Sequence, residues 1–63
     1  MLEMVLEYFE KGWLIIVADY MGSYECEDEE EVAEAMFEDG YVSIQVEVIE
    51  EDHQVCIHVS DDE

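Results

Sequence analysis

The near-absence of cations constrains this chain more than any other feature: twenty carboxylates face one lysine, Lys11, with no arginine, for a formal charge of -19. An unpartnered carboxylate is costly to bury, so the acids belong on the surface and the interior must be assembled from apolar side chains. Those are plentiful. Hydrophobic residues make up 51% of the chain, which separates it from an acidic disordered tail, where high charge goes with low hydrophobicity. A chain of 63 residues buries only about 60% of its unfolded surface, so residues 1–63 form one domain with no second core.

Residues 28–40 carry the signals of a helix. Asp28 is placed as N-cap, and Glu31 three positions later completes a capping box. Val32, Ala35 and Met36 recur at helical spacing with Ala33 and Phe37 beside them, and Gly40 follows as a left-handed terminator. The expected span is about 29–39. Beyond it Val42, Ile44, Val46 and Val48 alternate with Ser43, Gln45 and Glu47, as a half-buried strand requires. A polar loop of Glu50, Glu51 and Asp52 leads into a second strand, in which Val55, Ile57 and Val59 interleave with Cys56 and His58, giving a C-terminal hairpin.

The apolar run at residues 13–18 predicts a strand covered on both faces or lying in mid-sheet. Residues 20–27 read as a loop or a short extra edge strand. Residues 1–10 fit two templates: Leu2, Val5, Leu6 and Phe9 have helical spacing, while Leu2, Met4, Leu6 and Tyr8 alternate with Glu3 and Glu7. Glu10, Lys11 and Gly12, read as a three-residue hairpin connection, favour the strand. The expected fold is therefore α+β: a small antiparallel sheet of three to four strands with one helix packed on one face, in the order ββαββ, with αβαββ as the alternative. Carboxylates are expected on the sheet's outer face and on the helix's solvent side.

Few residues suggest chemistry. Cys26 and Cys56 read as reduced thiols and are too few for a four-thiolate metal cluster. His53 and His58 read as a loop histidine and a sheet-face histidine, on opposite faces and without a shared metal. The consecutive carboxylates of residues 25–31 lack the alternating ligands around a central glycine that a calcium hand needs. No nucleophile arrangement, glycine-rich phosphate loop or CxxC motif is present. The chain reads as no enzyme, with no cofactor and no metal. Lacking a basic segment followed by an apolar one, and with residues 13–18 too short to span a bilayer, it reads as neither exported nor membrane-embedded, hence cytoplasmic.

The charge itself points to function. A folded chain of this length has a radius of gyration of about 10.6 Å, hence a diameter of about 27 Å. Duplex DNA of that length carries roughly 16 charges, close to the density here. Carboxylates on one face of a strand stand about 6.6 Å apart, and those on successive helical turns about 5.4 Å, in the range of successive phosphates. A protein that grips DNA does so largely with Lys and Arg set against phosphates, so a rigid carboxylate array suits the same groove.

In its size, scarcity of basic residues, α+β pattern and acidic segments such as residues 24–34, the chain resembles the small acidic DNA-mimic inhibitors of phages and mobile elements, among them anti-CRISPR and anti-restriction proteins. The resemblance implies a basic nucleic-acid-binding protein or complex as partner, a CRISPR effector first and a restriction enzyme second. It implies no direct contact with nucleic acid, and the host cytoplasm as the site of action if the gene is a phage's. The expected contact surface is Glu25, Glu27, Asp28, Glu29, Glu30, Glu34 and Glu38, with Glu50, Glu51 and Asp52 as a second cluster. Tyr20, Tyr24 and Tyr41 are either anchors among the charges or core residues. Unpaired strand edges leave room for a homodimer. Two alternatives stand beside the mimic. One is an acidic interaction domain, antitoxin or adaptor. The other is a salt-adapted domain of a halophile, against which fourteen Glu to six Asp and abundant Ile, Val and aromatic residues argue.

Overall fold

The N-terminal segment is a helix, not the expected strand: α1 spans Leu2–Glu10 and buries Val5 completely, with Leu2, Leu6 and Phe9 packed on the core. What decides between the two periodicities is how the segment ends. Trp13 N–H donates to the Tyr8 carbonyl (3.1 Å) and Gly12 N–H to the Phe9 carbonyl (3.0 Å), with Gly12 at φ +88. That is a Schellman terminator, and its usual apolar contact is present as the Tyr8 and Trp13 rings, 4.5 Å apart. Gly12 has the left-handed backbone that the hairpin reading asked of it, but it stops a helix.

The computed structural model describes residues 1–38 and 40–61. After α1 come β1 (Leu14–Asp19), β2 (Gly22–Glu25), α2 (Glu29–Ala33) continuing into a π-helical turn (Glu34–Glu38), β3 (Ser43–Ile49), a 3-10 turn (Glu50–Asp52) and β4 (Gln54–Ser60). The class is α+β. The element order is αββαββ, in place of ββαββ or αβαββ, and there are two helices where one was expected. Residues 20–27 do supply an edge strand, β2. Phe37 is exposed and does not flank the core stripe, because the π-helical turn buries Ala35 and Met36 side by side and directs the next residue outward. The expected helix end at Asp39 lies outside the described residues.

The sheet order is β2-β1-β4-β3. Each hairpin, β1 with β2 and β3 with β4, is antiparallel, but the two meet at a parallel β1–β4 pair, so the sheet is mixed and not the antiparallel one expected. The reason is the crossover: the connection through α2 returns the chain to the end of the sheet at which β2 begins, so β3 runs with β2 and β4 therefore runs with β1.

Ile15 lies opposite Val55 and Val17 opposite Ile57 in the parallel pair, and Val59 continues the row. These side chains are buried with Val5, Val32, Ala35, Met36 and Cys26, so both helices cover one face of the sheet. The other face carries Leu14, Ile16, Ala18, Gln54, Cys56 and His58 on its two central strands, none of them buried. The run at residues 13–18 is thus mid-sheet but covered on one face only, and Trp13 precedes the strand. As expected, this outer face presents carboxylates, but among the described residues they reach it from its edge strands alone, as Glu25 and Glu47. The radius of gyration is 10.8 Å.

Candidate functional site

Because β1 and β4 run parallel and their partners antiparallel to them, three connections meet at one end of the sheet: residues 11–13, 26–28 and 50–53. This brings together the two acidic segments that are farthest apart in the site expected from sequence. Glu27, Asp28, Glu29 and Glu30 stand on the β2 side, and Glu50, Glu51 and Asp52 at the β3–β4 turn, all exposed. The strand ends from which they spring are two to three strand spacings apart, about 10–14 Å.

The helix start explains part of the first cluster structurally. Asp28 Oδ1 accepts the Glu31 N–H at 2.9 Å, and Glu31 Oε2 accepts the Glu27 N–H at 3.4 Å, one residue upstream of the usual capping-box contact. Glu29, Glu30 and Glu31 in the first turn also lie at the positive end of the helix dipole. Asp28 and Glu31 therefore hold the backbone, while the carboxylates of Glu27, Glu29 and Glu30 take no part in the cap.

Between the two clusters lies an aromatic stack that the sequence reading missed. Trp13 packs on Tyr8 and, at 4.9 Å and 25° between ring planes, on His53, while Lys11 Nζ sits 5.5 Å from the Tyr8 ring centroid. His53 closes the 3-10 turn in a left-handed conformation (φ 51), and its carbonyl accepts the Leu14 N–H at 3.0 Å, tying the second acidic turn to the start of β1. The spacing of Tyr8, Gly12 and Trp13 is the signal that could have revealed the Tyr8–Trp13 half of the stack, since it is that of a helix terminator with its apolar contact, whereas the His53 contact is tertiary.

The remaining expected site residues are dispersed. Glu25 points to the open sheet face, opposite Ile16. Glu34 is half-buried farther along the helix, and Glu38 closes the π-helical turn, away from the acidic end. Tyr20 is 82% exposed and Met21 81% exposed at the β1–β2 turn, at the opposite end of the sheet. Tyr24 is exposed on β2 opposite Val17, and Tyr41 is half-buried against the core. Tyr20 and Tyr24 are therefore surface aromatics, but they do not join the acidic clusters.

His53 is a loop residue and His58 lies on the open sheet face, its Nε2 3.5 Å from Glu47 Oε1. The two cysteines are free and lie on opposite sides of the sheet. Burial, reinforced by the carboxylates of Glu31, Asp28 and Glu25, pushes the Cys26 thiol up to about 11. Cys56 faces the open side, where Gln54 Nε2 donates to its Sγ at 3.1 Å. Among the described residues no three His, Cys, Asp or Glu side chains are grouped to hold a metal, and no helix is long and apolar enough to cross a membrane. A shallow open depression of about 240 Å³, lined by Asp19, Met21, Gly22, Ser23 and Tyr24, lies away from the acidic end. Comparisons with family models, curated proteins and solved structures found no match to this chain.

Proposed function

We propose that this protein is a DNA mimic, which occupies the positively charged nucleic-acid-binding surface of a partner through its acidic end. The observation that carries the reading is the convergence of residues 27–30 and 50–52 on one end of a rigid sheet, with exposed carboxylates in two groups. The strand ends that carry them stand about 10–14 Å apart, which compares with the roughly 12 Å width of the DNA major groove that phosphates border. One lysine in the whole chain leaves this field almost unneutralised, so it steers a basic partner from a distance. A host defence complex that grips DNA is the partner class proposed, a CRISPR effector ahead of a restriction enzyme, with the protein acting as an inhibitor of target recognition.

The test is displacement of duplex DNA from purified CRISPR effectors and restriction enzymes at moderate salt. Displacement by the parent protein is expected to weaken as salt rises, and the triple variant Glu27→Gln, Glu29→Gln, Glu30→Gln is expected to compete about tenfold less well while keeping its fold. If the triple variant displaces DNA as well as the parent, the acidic end is a solvated surface and the reading is wrong. If no complex releases its DNA, the mimic class is wrong.

A further inference from the structure

The open sheet face carries one row of side chains in register across all four strands: Glu25 on β2, Ile16 on β1, Cys56 on β4 and Glu47 on β3. Strand spacing places the two carboxylates about 14 Å apart with two apolar side chains between them. The adjoining rows on the central strands bear no carboxylate, with Leu14 and Gln54 on one side and Ala18 and His58 on the other. Among the described residues none covers this face, and Leu14 is 38% exposed.

We propose that this face binds an extended segment of a partner protein in which one apolar side chain is flanked, two residues away on each side, by Lys or Arg. The argument is charge complementarity at matched spacing. In extended chain, alternate side chains share a face, and the two cations of such a segment stand about 13 Å apart, against about 14 Å between the carboxylates. The apolar residue between them lies over Ile16 and Cys56. A second copy of this chain does not fit, because it presents the same pair of carboxylates and a charge of -19 against another of -19. The His58 contact to Glu47 does not block the site, since both side chains are more than half exposed and a partner cation can replace the imidazole. The inference is independent of the acidic end, which lies off this face.

The experiment titrates the full ¹⁵N-labelled protein at low salt with the end-blocked peptide Lys-Thr-Leu-Thr-Lys, and separately with the permuted peptide Lys-Lys-Leu-Thr-Thr. Amide shifts centred on Ile16, Glu25, Glu47 and Cys56 are expected, with the permuted peptide bound about threefold more weakly. The double variant Glu25→Gln, Glu47→Gln should bind the first peptide about fivefold more weakly with its spectrum otherwise unchanged. Saturating peptide should also slow alkylation of Cys56. Equal binding of the two peptides, or shifts confined to residues 27–31 and 50–53, overturns the sheet-face site and leaves the DNA-mimic proposal standing. Failure of DNA displacement with the sheet-face shifts intact removes the mimic and leaves this site.

Discussion

Strand β4 sets the two faces of the molecule side by side. Val55, Ile57 and Val59 are buried under the helices, while their immediate neighbours Gln54, Cys56 and His58 look out from an uncovered face. Both faces consist mainly of uncharged side chains at their centre, yet one is the core and the other is surface. The difference teaches that polarity alone does not make a residue interior here. Two helices choose the face, and neither face admits a carboxylate at its centre; the acids lie at the sheet edges, at the end where three loops meet and on the solvent side of the helices, as Glu3, Glu7 and Glu10 do on α1.

The sharpest way to break that comparison is to remove the same atoms from each face. Ile57→Ala empties a fully buried site between the helices and the sheet and should cost about 2–5 kcal/mol, whereas Ile16→Ala on the open face should cost clearly less. Urea unfolding measures both. Similar losses would mean that the open face is covered in solution.

The two thiols give the next largest effect. At pH 8 a thiol held at about 11 has a thiolate fraction roughly a hundredfold below that of one at the ordinary 9.0. Cys26, only 3% exposed, should therefore be alkylated at least a hundredfold more slowly than it is in the denatured chain, while Cys56 reacts in the folded protein. The same shift makes stability depend on pH with a definite sign. The unfolded thiol ionises near 9 and the folded one resists to about 11, so the contribution of Cys26 is intact below pH 9 and is lost as pH rises toward 11. A Cys26→Ala variant, compared with its parent across that window, should show a flatter decline. An equal decline would place the thiol elsewhere than in the core.

The smallest effect isolates the structural share of the acidic end. Asp28→Ala removes the acceptor of the Glu31 N–H and should cost about 1 kcal/mol, whereas Asp28→Asn, which still caps, should cost only a few tenths. Thermal melts distinguish them. If both variants melt with the parent, the α2 cap contributes nothing and Asp28 joins the free carboxylates.

Much of this was legible in the sequence. The Asp28 cap, the Val32, Ala35 and Met36 stripe and the C-terminal hairpin are local features, and each is encoded by residues within a few positions of one another. The N-terminal segment was not, because its apolar residues satisfy both periods at once and the decision rested on a contact between Tyr8 and Trp13. The candidate site divides in the same way: the acidity of residues 27–30 and 50–52 is plain in the chain, but their meeting is not.

By itself, then, the sequence determined the class of fold, the surface location of the acids and the local helix and strand signals, because the scarcity of cations is a property of composition and short-range periodicity one of neighbouring residues. Tertiary structure alone decided that β1 and β4 lie parallel, that one sheet face stays open with Glu25 and Glu47 at its edges, and that two distant acidic segments flank Tyr8, Trp13 and His53. Those outcomes depend on pairing between strands some forty residues apart in the chain, and register across such a distance is set by burying one face under both helices at once, which no single segment encodes.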